Sequence, residues 1–320
     1  MGNLIVKNGA GDKVLPTLSI SEFETLFNKI KNWGDFPGDK LERGSLNYIN
    51  PEKVASASSL VKTGNIVSLS LPWNTQSELD NHKPAIHYMS EIGNLEDQQP
   101  MCNKDFIGVD YHGKAVSHLD AMTHIVFKDQ MYGGKKSSEQ VKSSGSNWGS
   151  VDKLGPIVTR GILLDAPLFY NKKWIEPGNA ITKDEILEME KRFNFQISPG
   201  DCVLLRSGHF ARRAELGVWD PSDYSAGFYL DAMELFKERK VSVIGADGDS
   251  DARPSPVAEM HSPIHALALP GLGIPLLDNL QLEPLAKSCN ENKRWEFLVT
   301  ITPLNIPRGT GSPVNPIAVF

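Results

Sequence analysis

Gly161-Ile-Leu-Leu-Asp-Ala-Pro167, then Thr182-Lys-Asp-Glu185, then Asp201-Cys-Val-Leu-Leu-Arg-Ser207 read in turn as strand, helix and strand. The two apolar runs are short, rich in Ile, Val and Leu, and bounded by turn residues, as buried strands are. Between them, Thr182 with Glu185 three residues on forms a capping box for a helix reaching about Phe193. Ser242-Val-Ile-Gly-Ala-Asp247 and Trp295-Glu-Phe-Leu-Val-Thr-Ile301 repeat the strand pattern, with a helix over 228–239 before the first of them. The alternation predicts an α/β fold, a mixed β-sheet core flanked by helices. Upstream, Ser21-Glu-Phe-Glu24 predicts a helix start ahead of Phe23, Leu26, Phe27 and Ile30, with Gly34 as its stop. Asn50-Pro51 opens a second helix that Gly64 ends, and 65–71 alternates as a strand with Val67, Leu69 and Leu71 on one face, stopped by Pro72. With no internal repeat or linker, the expected organisation is a helical N-terminal extension over 1–64 ahead of one domain over 65–320. The Gly/Ser/Lys-rich stretch 133–150 is expected to be a long exposed loop and a candidate lid.

The chain has 320 residues, 40% hydrophobic and 22% charged, which is ordinary globular composition. Lys plus Arg total 33 against 39 acidic residues, without a basic stripe, so no nucleic-acid partner is expected. No run is long and apolar enough for a membrane span or a signal peptide, and Val6 stands where a myristoylation motif needs Ser or Thr. Cys102, Cys202 and Cys289 are far apart, which argues against a disulfide framework and for a reducing, cytoplasmic setting. The histidines are the exception to this even picture. Three of the eight, His112, His118 and His124, fall in thirteen consecutive positions.

On an extended chain the side chains at 112, 118, 120 and 124 share one face, so His118-Leu-Asp120 presents an imidazole and a carboxylate together. That donor pair suits Zn2+ or Mn2+ better than Ca2+ or Mg2+. Ser262-Pro263-Ile-His265 reads as an N-cap, a first-turn Pro and a histidine in the first turn of a short helix. His261 and His265 have zincin spacing, but Pro263 lies between them and no Glu follows His261, so a zinc-peptidase reading is discarded.

Ser117-His118-Leu-Asp120-Ala-Met-Thr-His124 resembles the H-x-G-T-H-x-D-x-P-x-H signature of the metal-dependent cyclase family, which includes bacterial kynurenine formamidases and isatin hydrolases. The resemblance extends through Arg160–Asp165, Gly200–Gly208, Ile244–Ser250, His265 with Gly273–Asp278, and Pro303–Pro313, and so covers roughly 65–320. It implies a swivelling β/β/α-like fold, a Zn2+ or Mn2+ cofactor, and hydrolysis of an amide C–N bond in a small-molecule substrate, an N-formyl aryl amide or a lactam. Carried over by position, it makes His118, Asp120, His265 and Asp278 metal ligands and His124 the general acid/base. The motif's first histidine is Lys114 here, and His112 replaces it only if two residues bulge out. The motif's Gly-Thr is Val116-Ser117 and its Pro is Met122. Trp73, Arg206 and His209 are the expected substrate-contacting residues, and a homodimer or higher homo-oligomer is the expected assembly.

Other readings stay open at this point. The same site suits lactone hydrolysis, dehydration or ring closure. Gly248-Asp-Ser250-Asp-Ala252 nearly matches a serine-hydrolase elbow, but Arg253-Pro-Ser-Pro256 follows it in place of a helix. Asp247, Asp249 and Asp251 mimic the start of an EF-hand, yet Ala252 and Ala258 stand where Gly and Glu are required. A binding protein with a degenerate site is the reading outside catalysis.

Overall fold

The computed structural model describes residues 5–94, 96 and 98–320. The apolar runs form the middle of a nine-stranded sheet. In chain order its strands are β1 (Ile66–Ser68), β2 (His118–Asp120), β3 (Ile157–Asp165), β4 (Cys202–Arg206), β5 (Val243–Ala246), β6 (Leu276–Asp278), β7 (Glu296–Ile301), β8 (Gly311–Pro313) and β9 (Ile317–Val319). The spatial order is β8-β2-β6-β5-β4-β3-β7-β9-β1. Strands β3 to β6 are parallel; β2 and β8 on one side, and β7, β9 and β1 on the other, continue the sheet antiparallel. Helices cover the parallel strands, so Leu163, Leu164, Val203, Leu204, Val243 and Ile244 are fully buried, which is why the sequence there runs apolar without alternation.

Helix α1 (Ile20–Ile30) places Phe23, Phe27 and Ile30 in the same core as the sheet, joined there by Leu46. Its capping box is Ser19 with Glu22, two residues ahead of the expected one, and its last turn ends at Lys31, before Gly34. Helix α2 (Pro51–Ser58) starts as expected, with the Asn50 side chain accepting from the Lys53 N–H at 2.8 Å, but it ends well before Gly64. Helix α3 (Lys183–Phe193) has the expected Thr182–Glu185 box.

The expected lid over 133–150 is corrected. Its second half is tied down: Ser146 N–H donates to Arg308 O at 2.9 Å, Gly149 N–H to the Glu42 carboxylate at 2.9 Å, and Ser146, Trp148 and Ser150 are buried. Gly145, at φ +106°, packs so close to Arg308 that a Cβ would meet its carbonyl oxygen at 2.6 Å. An unexpected antiparallel pair, Ile86–Glu91 with Lys104–Gly108, stands exposed along nearly its whole length. Among the described residues no helix is long and apolar enough to cross a membrane.

Candidate metal centre

The register of two antiparallel strands assembles the centre. His118 on β2 lies opposite Asp278 on β6, and directly opposed residues of such a pair project to the same face. Asp120, two positions on, projects to that face as well. His112 and His124 are corrected in how they arrive: each sits in a turn outside β2, not on one continuous strand. The chain before β2 takes up the extra residues, and His112 Nδ1 lies 2.9 Å from Asp120 Oδ1. His118 Nε2 is 3.5 Å from the same oxygen, while His124 Nε2 and His265 Nε2 are 3.7 and 3.6 Å from Asp120 Oδ2. His265 Nε2 is also 3.1 Å from Asp278 Oδ2. The fold thus brings together six residues named from the sequence, five of them around the carboxylate of Asp120.

Three of the four rings are held from behind. His118 Nδ1 bonds to Val116 O at 2.8 Å, His112 Nε2 to Thr310 Oγ1 at 2.9 Å, and His265 Nδ1 to Asp251 Oδ2 at 2.6 Å. Each bond turns the other ring nitrogen inward, the arrangement that orients histidines toward a metal. Asp251 does more. It accepts from the Ile264 N–H at 2.7 Å and so caps the short helix α4 (Pro263–Ala266), whereas Ser262, the expected cap, makes no capping bond. Among the described residues no hydrogen bond fixes the ring of His124, which lies flat against His112 with ring centres 3.8 Å apart.

Three observations test the fit to a divalent ion. Both Asp120 oxygens and His112 Nδ1 are buried without a hydrogen-bond partner, although nitrogens lie within 2.9–3.7 Å of them. A buried carboxylate left so is costly unless a cation meets it. Those separations lie on either side of the roughly 3.0–3.4 Å between donors about 2.1 Å from a shared ion, so small shifts of the rings would close the shell. Finally, the buried carboxylates Asp120, Asp249, Asp251 and Asp278 face only two permanent cations, Lys114 and Arg253, leaving two negative charges over. The residues fit one divalent ion. His118, Asp120 and Asp278 have donor atoms within 4.8 Å of one another, and so do His112, Asp120 and His124.

Without an ion, the buried charges act on one another. Burial would raise the Asp120 pKa, but the facing imidazoles of His124 and His118 hold it well below the usual range. Burial lowers His124 to about 4 despite Asp120. Burial also opposes protonation of His265, yet Asp278, Asp120 and Asp251 outweigh it and push its pKa well above the ordinary value.

The three expected substrate residues part company. Trp73, 39% exposed, lines a cavity of about 500 Å³ with Leu71, Pro72, Phe210 and Lys114. None of the proposed ligands lines that cavity, but a neighbouring one of about 240 Å³ contains His112 and shares Lys114, Ala115 and Asp80 with it. Arg206 is not brought to either: its guanidinium is spent on Asp165 at 2.6 Å and on Glu283 at 2.7 and 3.0 Å. His209 is buried against Trp219, ring centres 4.6 Å apart, and burial drives its pKa down to about 3. It lies behind Gly248 as a packed, neutral side chain. Asp247 accepts from the N–H groups of Ser207, Gly208 and His209 and starts the helix there. Ser250 is fully buried and its Oγ donates to Asp278 Oδ1 at 3.2 Å, with no hydrogen bond to a histidine among the described residues, so it lacks the base of a serine hydrolase.

Sequence reading missed Thr310 and Asn279. Asn279 Nδ2 donates to Gly113 O and Val116 O, the carbonyls that bracket the chain between His112 and His118. For Asp251 the alternation of Asp247, Asp249 and Asp251 was the available signal.

The fold matches solved structures along most of the chain. A crystal structure described as a novel cyclase is 26% identical, covers 92% of this chain and 99% of its own, and superposes with a TM-score of 0.80. Isatin hydrolase A from Ralstonia solanacearum is 22% identical over 80% of this chain and 92% of its own, with a TM-score of 0.55. Isatin hydrolase A from Labrenzia aggregata is 19% identical over 83% and 97%, with a TM-score of 0.57. No curated protein matches the chain. The model of a family described as putative cyclase matches residues 53–250, more than half of the sequence and the part that holds His112, His118, Asp120 and His124. The chain therefore belongs to the cyclase family.

Proposed function

We propose that the protein is a metal-dependent hydrolase that opens an amide C–N bond in a small aryl substrate, an N-formyl aryl amide or a lactam. The observation that carries this reading is the pair of partnerless Asp120 oxygens, buried and ringed by four imidazole nitrogens. A Zn2+ or Mn2+ ion bound there supplies a water nucleophile at neutral pH and polarises the substrate carbonyl. His118, Asp120 and Asp278 would hold it, with His265 and His112 facing the same carboxylate. Val116 O, Thr310 and Asp251 each hold one ring nitrogen of His118, His112 and His265, which leaves the other toward Asp120. His124, whose ring no hydrogen bond fixes among the described residues and whose side chain is 23% exposed, would take a proton from water and return it to the leaving nitrogen. Trp73 offers a flat apolar face in the adjoining cavity for an aryl group. The likeness to isatin hydrolases supports an aryl lactam among the substrates, since isatin is one. Purified protein should hydrolyse members of a panel of N-formyl anilides and isatin-like lactams, and chelation should abolish the activity. Turnover of lactones alone would move the reading to lactone hydrolysis, and chelator-resistant turnover would end it.

We also propose a homodimer. The exposed ribbon carries Ile86, Tyr88 and Phe106 on one face, with the two aromatic rings stacked 5.1 Å apart. Such an apolar face is covered in most soluble proteins. A sedimentation mass near twice 35.3 kDa is expected, and a monomer mass would contradict it.

A further inference from the structure

Lys114 stands where the motif carries its first histidine, and its surroundings show what it does instead. Its ammonium pairs with Asp249, on the loop after β5. Asp249 is fully buried and also takes Arg253 at 2.7 Å and the Asp251 N–H at 3.0 Å, so it is a rigid anchor. The turn that carries Lys114 is gripped on its other side by β8 and the residue before it. Tyr111 Oη donates to Gly311 O at 2.9 Å, and His112 Nε2 meets Thr310 Oγ1. Asn279 holds the carbonyls of Gly113 and Val116. The turn is therefore stretched between two anchors, Asp249 through Lys114 and β8 through Tyr111 and His112. In that posture His112 Nδ1 comes to 2.9 Å from Asp120. Asp249, His265 and Asp278 also have donor atoms within 4.8 Å of one another, and Lys114 brings its own cation to that end of the cluster.

We propose that Lys114 is a positioning residue: locked on Asp249, it delivers His112 to Asp120, so that the two side chains together do what one histidine does in the motif. The inference rests on the reading of Asp120 as a metal ligand and of His112 as its companion. It acts through the turn, not through contact with substrate.

The test is a double-mutant cycle on zinc affinity, measured by competition with a chelating dye on the full chain. His112→Ala and Lys114→Met should each weaken zinc binding at least tenfold, the usual loss when a residue that orients a ligand is removed. The double variant should bind no more weakly than the weaker single one, because Lys114 works only through His112. Lys114→Arg, which keeps the ion pair, should stay within about threefold of wild type. Lys114→Met is expected to fold, since Asp249 keeps Arg253. If it does not fold, Lys114→Gln takes its place with the same expectation. Zinc affinity unchanged in the Lys114 variant, or losses that multiply in the double variant, would overturn the proposal. An unchanged His112→Ala affinity would overturn it too. Wild-type protein that binds no zinc would contradict the functional reading itself, a different outcome from any of these.

Discussion

Replacing His124 with alanine is expected to lower turnover of an amide substrate by about two to four orders of magnitude, the usual contribution of general acid–base catalysis, while the metal content stays at the wild-type value. Val116 O, Thr310 and Asp251 brace His118, His112 and His265, so those rings are fixed in one orientation. A ligand has to be fixed in this way. A proton carrier has to meet water and substrate, and His124 is the ring that no hydrogen bond holds among the described residues, with part of its side chain at the surface. Elemental analysis of the variant separates the roles. Because His124 also lies within reach of Asp120 beside His112, loss of the metal together with activity would make it a ligand and leave the proton transfer to another group.

Asp120→Asn is expected to have the larger effect: binding of the divalent ion weakened at least 100-fold and turnover at the level of the uncatalysed reaction. The change keeps the shape of the side chain but removes one of the two negative charges that Lys114 and Arg253 leave unbalanced. It also turns an NH2 group toward nitrogens that now face a carboxylate oxygen. An amide donor cannot coordinate a cation. Far-ultraviolet circular dichroism should be unchanged, because Leu119 and the β2 pairings to β6 and β8 do not involve the side chain. An Asp120→Asn protein that retains one equivalent of metal would show that the ion sits elsewhere.

Much of the fold is legible in the sequence because the central strands are covered on both faces. Burial on both faces writes a continuous apolar run, and Gly161–Asp165, Cys202–Leu205 and Val243–Ala246 all show it. Local chemistry is legible too when only one solution exists, as at Thr182 and Glu185. At the first helix two overlapping S-x-x-E spacings compete, Ser19 with Glu22 and Ser21 with Glu24, and the structure uses the earlier one. The stretch 133–150 misleads because Gly and Ser serve equally in mobile loops and in tight turns. Here its polar groups bond to Glu42 and Arg308, which lie more than a hundred positions away.

The candidate metal centre divides in the same way. His118 and Asp120 are readable from their period of two. Asp278 comes to the site through the register of β6 against β2, which local spacing does not record, and only the resemblance of Gly273–Asp278 to a family block points to it. Thr310 and Asn279 carry no local mark, since their partners lie about 160 to 200 residues away. Arg206 illustrates the opposite error. A cation at the end of a strand resembles the wall of a cleft until Asp165 and Glu283 are found beside it.

The carboxylate of Asp120, within its ring of histidines, is proposed to hold a divalent ion. Anomalous diffraction at the zinc and manganese absorption edges, from crystals of protein supplied with each metal, tests it most directly. The account predicts an edge-dependent peak bonded to Asp120 and to His118 or Asp278. A site without anomalous signal, its Asp120 oxygens bridged by ordered water or by a protonated histidine, would contradict it.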